Sequence, residues 1–432
     1  MQATPGPGAA TITWPGDDDQ AQHAPWRSLA GHPPPAKVRL ADDRLAADAA
    51  YRLLDAGTAL LWCGDYQNAR HLLQALGRRL DKRLEKHQDK RQDKRQDMRQ
   101  APAARAAAGL GEAFQVQRQA QALRARLLGG LLLPFDADHG VPLRRAPDLR
   151  AAGLQAHGPV ASHYVQSLRE LLGLVGAFEW RRKGVQVPAL GARIHPHHGV
   201  FAPVRGEYVD LVAQAPLPAA ALGHGAADIG TGTGVLAAVL ARRGLRVQAT
   251  DLSAAALACA ADNAGRLGLQ RQITLARADL FPPGRFGLVV CNPPWVPAPA
   301  GAPLEAAVFD PDSRMLRGFL AGLTAHLAPG GEGWLVLSDL AEHLGLRPRA
   351  SLLGWIADAG LQVLGRLDTR PRHQRPLDTT DPLHAARSAE TTSLWRLGAI
   401  DGQDHGQTDG QTDGQTDGQT DGQTKAAPPT PD

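Results

Sequence analysis

Asn292, Pro293, Pro294 and Trp295 follow one another directly after an apolar run, Phe286 to Cys291. Those residue types can hold a planar nitrogen. The Asn292 side-chain oxygen and the Pro293 carbonyl can each accept a hydrogen bond from one NH2 group, which aims the nitrogen lone pair in a single direction. Trp295 offers a flat face on which an amide or a base can stack. The run before them is continuous and apolar, as a strand buried on both faces should be. In open α/β sheets ligands bind beyond the carboxyl ends of such strands. Two consecutive prolines neither continue a ladder nor enter a helix interior, so the chain leaves the sheet stiffly. Taken alone, the same four residues also read as a strand-terminating turn.

A second segment with chemical content is Asp228-Ile229-Gly230-Thr231-Gly232-Thr233-Gly234, entered by apolar Ala226 and Ala227 and left by a helix-like run, Val235 to Arg243. Strand, glycine loop and helix form the opening of a nucleotide-type α/β site. The glycines let the backbone turn tightly and approach a ligand where a Cβ would clash. The dinucleotide spacing G-x-G-x-x-G would require glycine at 235, where Val235 stands, so the pattern is D-x-G-x-G-x-G instead. Residues 244–251 read as a second strand ending in Asp251, with Leu252 beside it. That acid lies about twenty residues past the loop, where a ribose-binding carboxylate belongs. Ser253 can cap a helix through Leu267, ended by Gly268. Residues 273–276 read as a third strand, followed by Asp279 and Leu280. Asp279 reads as an adenine-side contact or as a plain surface acid.

Together these segments resemble a known family. The glycine loop resembles motif I of the class I S-adenosylmethionine (SAM) methyltransferases. Residues 199–400 look like the N-methyltransferases with an N-P-P-[YFW] motif, and most like the release-factor glutamine methyltransferases of the small methyltransferase group. Val296-Pro297, the Asp310–Ser313 stretch before an apolar helix, and Leu327–Gly331 before a strand continue that likeness. Pro203, Arg205, Glu207 and Tyr208 imperfectly match the family's P-R-x-E-T element, and Trp295 replaces its usual Tyr. The resemblance implies SAM as cofactor. It places Asp228, Gly230, Thr231, Gly232, Gly234, Asp251, Leu252, Asp279, Leu280 and Asn292 around SAM, and Asn292, Pro293, Pro294 and Trp295 at the acceptor nitrogen. It implies a glutamine side chain of a protein as acceptor. Related enzymes use the same four residues on adenine N6, guanine N2 or cytosine N4 of RNA or DNA, and a SAM-binding scaffold without catalysis is a third reading.

The elements that must position these residues follow from the remaining sequence. The expected fold is α/β, a class I SAM methyltransferase with a Rossmann-like seven-stranded sheet over residues 199–400. Its last strands would be Leu361–Leu367 and an antiparallel Thr391–Leu397. Residues 39–175 read as a mostly helical N-terminal domain, with apolar residues three and four apart in 46–54, 66–76 and 120–133. Residues 176–198 read as a linker with a small β element. Residues 1–38, rich in Pro, Gly and Ala, and 401–432, with their Gly-Gln-Thr-Asp repeats, read as disordered tails.

A basic low-complexity insertion occupies about 81–105. Residues 78–99 hold ten Lys/Arg against five Asp/Glu, a surplus that exceeds the whole-chain net charge of +4. The basic balance therefore comes from this one segment, read as a solvated helical or disordered expansion, with an RNA-binding arm as the alternative. His195, His197 and His198 crowd one loop, but no acid or cysteine stands at ligand spacing, so no metal is expected. Three scattered cysteines, no apolar run of membrane length and no secretory leader read as a cytoplasmic, monomeric enzyme without a membrane partner.

Overall fold

The computed structural model describes residues 10–16, 20–96, 103–204, 206–301, 303–372 and 381–400. The first elements are a hairpin, β1 (Thr11–Pro15) paired antiparallel with β2 (Ala21–Pro25). Ile12 and Ala24 are buried, and Trp14 and Trp26 pack beside them onto Val38, Leu61 and Val165. The described part of 1–38 is therefore a folded hairpin and not a tail. Composition hid it, because one buried apolar position per strand, Ile12 and Ala24, suffices once a partner surface exists.

Next come β3 (Val38–Ala41), α1 (Ala47–Asp55), β4 (Ala59–Trp62), α2 (Tyr66–Gln96), α3 (Ala103–Gly129), β5 (Leu131–Phe135), α4 (Arg150–His157), β6 (Tyr164–Ser167) and α5 (Leu168–Lys183). Helices dominate by residue, as expected, but they are arranged on a four-stranded sheet of order β3-β4-β5-β6 that the helical periodicity concealed. β3, β4 and β5 are parallel and β6 is antiparallel to β5. Leu60–Trp62 and Leu131–Leu133 are short continuous apolar runs, which periodicity cannot separate from buried helix. The helix expected over 120–133 ends at Gly129 and its last residues belong to β5. A Cβ at Gly130 would lie 2.6 Å from Leu54 Cδ2, so glycine in the turn between them lets α1 pack closely. In α2 the buried stripe Tyr66, Ala69, Leu72, Leu73, Leu76 and Leu80 faces this sheet. The Gln-Asp-Lys-Arg repeat continues the same helix to Gln96, and residues 97–102 lie outside the described residues.

A short hairpin, β7 (Val185–Val187) and β8 (Ala192–Ile194), leads into the second half, as the β element expected there. Then follow α6 (Glu207–Gln214), α7 (Ala219–His224), β9 (Ala226–Ile229), α8 (Val235–Arg242), β10 (Val247–Asp251), α9 (Ala254–Arg266), β11 (Ile273–Arg277), β12 (Phe286–Cys291), α10 (Arg314–His326), β13 (Leu327–Ser338), α11 (Leu340–His343), α12 (Arg349–Asp358), β14 (Leu361–Thr369), α13 (His384–Ala389) and β15 (Thr392–Ala399). The strands form the expected seven-stranded sheet, ordered β11-β10-β9-β12-β13-β15-β14. β15 alone runs antiparallel to its neighbours.

Both faces of the sheet are covered. Leu288 and Val290 of β12 face the cluster built on α6 and α8, while Val289 and Cys291 face α10 and α12. That alternation on fully buried strands explains the unbroken apolar sequence. Chain order reverses between β9 and β12, so the glycine loop and Asn292–Trp295 lie side by side at the switch point, at carboxyl ends of adjacent parallel strands. Residues 401–432 lie outside the described residues. Among the described residues no helix is long and apolar enough to cross a membrane.

Candidate active site

β9 delivers Asp228 to a fully buried position, where one carboxylate oxygen accepts from Thr231 Oγ1 at 2.7 Å and from the Ala237 amide at 3.0 Å. The acid thus ties the loop to the first turn of α8. Burial pushes its carboxyl up to about 6, against the pull of those two donors. Gly230, Gly232 and Gly234 have φ of +71°, +55° and +79°, in the left-handed region that favours glycine. At Gly234 an added Cβ would stand 3.1 Å from Ala260 Cβ, so glycine also lets α9 pack closely. At Gly232 it would meet nothing within 4 Å. That open side is the space a ligand would fill.

Asp251 closes the other wall. Its carboxylate accepts from the Gly232 amide at 3.0 Å and from the Ser253 amide at 2.8 Å, leaving lone pairs for further donors. Leu252 beside it is exposed. Asp279 lies at the rim, paired with Arg314 at 3.3 Å, both side chains exposed. Leu280 has a positive φ, and its carbonyl accepts from Thr250 Oγ1 at 2.5 Å, which anchors this turn to β10. The chain thus brings Asp228, Thr231, the three glycines and Asp251 together, with Asp279 and Leu280 at the edge. These residues fit SAM: a glycine cradle open on one side, and an acid at the end of the second strand.

On the adjacent strand, Trp295 Nε1 donates to Asn292 Oδ1 at 2.8 Å. An indole N–H is a donor only, so the amide oxygen, not the NH2, faces the ring. Oδ1 keeps a second lone pair for another donor. Trp295 packs against three apolar clusters and stands edge-on to Tyr208, ring centroids 6.5 Å apart at 90°. The free stacking face expected from the sequence is therefore largely spent on packing. The Pro293 carbonyl belongs to a segment without regular structure, as two prolines dictate. Glu207 is buried at the start of α6 and its Oε1 has no hydrogen-bond partner. A buried acceptor left unmatched is costly, so a ligand donor would be favoured there. Tyr208 follows it, its phenol pushed up by burial. Arg205 lies outside the described residues.

Some contributors escaped sequence reasoning. Asp310 was visible only as one acid in a polar stretch. Its carboxylate accepts from the Met315 and Leu316 amides and so holds the start of α10. Met315 borders the loop, since a Cβ at Gly230 would come 2.5 Å from its Cε. An Asp-Pro pair just ahead of an apolar helix was the available signal. The histidine loop has other occupations. His197 Nε2 meets Asp262 at 3.1 Å and His195 Nδ1 meets the Arg181 carbonyl at 2.7 Å. His198 is partly buried, its pKa lowered by desolvation.

A family model described as "Methyltransferase small domain" matches residues 191–348. The chain is 36% identical over 163 residues to a release factor glutamine methyltransferase of Cereibacter sphaeroides, covering 34% of this chain and 56% of that one. The match thus spans little more than half of that relative's length. A release factor glutamine methyltransferase of Xylella fastidiosa is 33% identical over 255 residues, 52% of this chain and 88% of the relative. A ribosomal RNA small subunit methyltransferase C of Alcanivorax borkumensis is 37% identical over 114 residues, 25% of this chain and 30% of the relative. With a relative 33% identical and matched over 88% of its length, the chain belongs to the small-domain family of class I SAM-dependent methyltransferases.

Proposed function

We propose that this enzyme transfers the methyl group of SAM to the side-chain amide nitrogen of a protein glutamine. The carrying observation is the Asn292 amide. Trp295 orients its oxygen, and it stands beside the glycine loop at the end of an adjacent strand. An acceptor NH2 presents two donors, and Asn292 Oδ1 and the Pro293 carbonyl supply two acceptors. Bound SAM supplies an electrophilic methyl on sulfur. Gly230–Gly234 would pack along it and Asp251 would take the ribose hydroxyls, while Asp228 holds the loop in shape. Asp279, at the exposed rim beside Arg314, would take the adenine amino group. The protein's share of the rate is orientation, because two fixed acceptors hold the nitrogen in line, together with electrostatic complementarity as the sulfonium charge spreads. No strong base is needed, since the amide nitrogen sheds its proton after transfer.

The partial burial of Trp295 supports the glutamine reading over an RNA or DNA base. Base stacking needs an open aromatic face, whereas an amide needs only the two acceptors and a narrow slot. Three cysteines, scattered through the sequence, fit a cytoplasmic site of action. The test is incubation of a matched knockout lysate with radiolabelled SAM, followed by nuclease or protease. Label lost to protease and retained through nuclease supports the reading. Label lost to nuclease transfers the proposal to a nucleic-acid acceptor.

A further inference from the structure

We propose that the N-terminal domain is a working part of the acceptor site, and that Arg118 on α3 is the positioning residue through which it acts. The proposal rests on the reading of Asn292–Trp295 as the acceptor grip. The segment after Trp295 is described except at residue 302, and Arg118 reaches it with both terminal nitrogens and one flat face of its guanidinium. Nη2 donates to the Pro299 carbonyl at 2.8 Å, Nη1 meets Glu305 at 3.0 Å, and the flat face lies 4.1 Å from the centre of the Phe309 ring. The side chain is only 19% exposed. Phe114, one turn earlier, stands 6.4 Å from Phe309, and Leu110 and Ala113 join Val296, Ala298 and Trp295 in one apolar cluster. A planar fork that serves a carbonyl, a carboxylate and a ring at once is a geometric brace that lysine cannot copy.

The braced segment is tied to both halves of the site. Glu305 also accepts from the Gly301 amide, and its carbonyl accepts from the Phe309 amide. Val296, next to Trp295, donates to the Val308 carbonyl and accepts from the Asp310 amide. Asp310 in turn holds the start of α10, whose Met315 borders Gly230. A shift of Phe309 or Glu305 is therefore passed to Val296, and from there to Trp295 and Asn292. The polar and ring contacts of Arg118 are to Pro299, Glu305 and Phe309, so its action is through the segment. An ion pair of this exposure contributes little to stability by itself. Its value is orientation, where a displacement of about 1 Å at a reacting group can cost on the order of a hundredfold in rate.

The full-length protein is compared with Arg118→Ala and Arg118→Lys by three readouts. These are hydrogen exchange of a peptide spanning 292–310, SAM affinity by calorimetry, and the rate of methyl incorporation into the protein fraction of a matched knockout lysate. Arg118→Ala should speed exchange across 292–310 more than at 228–237, change SAM affinity less than the rate, and lower the rate about tenfold or more. Arg118→Lys should fall between the two, and it decides the matter if Arg118→Ala does not fold. Unchanged exchange overturns the proposal. Faster exchange with an unchanged rate also overturns it, because the contact would then be structural only. If the wild type labels nucleic acid and no protein, the glutamine reading fails by itself, and the same rate comparison on the nucleic-acid fraction decides for or against the brace.

Discussion

Replacing Trp295 by Phe separates the two things the indole does. A phenyl ring keeps aromatic surface against Tyr208 and the surrounding apolar clusters, but it deletes the N–H that donates to Asn292 Oδ1. A neutral hydrogen bond of this kind contributes about 0.5–1.5 kcal/mol net. It is also what distinguishes the two orientations of the Asn292 amide, since the indole nitrogen cannot accept from an NH2. Once a bias of about 1 kcal/mol is gone, the oxygen-inward orientation loses roughly a factor of five in relative weight. The flipped amide sets donor against donor at the acceptor nitrogen. Turnover should therefore fall by up to about fivefold while SAM affinity stays nearly unchanged, because the lost bond is to Asn292 Oδ1 and the bond between Gly232 and Asp251 is kept. Trp295→Ala also removes the packing and should cost about a hundredfold, with a lower Tm. Single-turnover methyl transfer, with SAM affinity measured in parallel, is the assay. A wild-type rate in Trp295→Phe would refute the orienting role of the indole and restore the simpler picture of a stacking face.

Three further outcomes follow from the same geometry. Asn292→Ala removes one acceptor of the nitrogen and should lower turnover about a hundredfold with SAM affinity nearly intact; parallel calorimetry and single-turnover rates check it, and loss of SAM binding would show that Asn292 serves the cofactor instead. Gly232→Val forces a β-branched residue to φ near +55° and fills the open side of the loop, so SAM affinity should drop at least about tenfold; calorimetry on folded protein showing wild-type affinity would contradict the cradle. Asp228 has a carboxyl raised by burial to about 6, so its contribution to stability is present below the usual carboxylate range and is lost as pH rises through 6. Near neutral pH the ionised group costs up to about 3 kcal/mol. Asp228→Asn keeps one oxygen for both Thr231 and Ala237, so it should raise the Tm of the SAM-free protein near neutral pH, with the gain vanishing by about pH 4. Thermal scans across pH test this, and a pH-independent difference would contradict the burial argument.

The catalytic half was legible because its signals are local. Gly230, Gly232 and Gly234 need left-handed backbone, and Phe286–Cys291 needs two covered faces, so both requirements are written in consecutive residues. The N-terminal sheet was not legible, because Leu60–Trp62 and Leu131–Leu133 are too short for any periodicity to declare itself. The hairpin of β1 and β2 escaped for another reason: Ile12 and Ala24 are apolar only in relation to Val38, Leu61 and Val165, which come from distant sequence. Within the site, the Asn292–Trp295 bond spans three residues and still went unread, since residue types give candidates for a hydrogen bond but not side-chain directions. Arg118 and Glu305 stand 187 positions apart, beyond the reach of any motif.

The most direct test of the account is to locate the transferred methyl group at atomic level. The wild-type protein and Asn292→Ala are each incubated with SAM and the protein fraction of a matched knockout lysate, and digested peptides are read by tandem mass spectrometry. The account predicts a gain of one methylene on a glutamine side-chain amide in the wild-type sample, nearly absent with Asn292→Ala. A methyl group on any other atom, or equal labelling by Asn292→Ala, would contradict it.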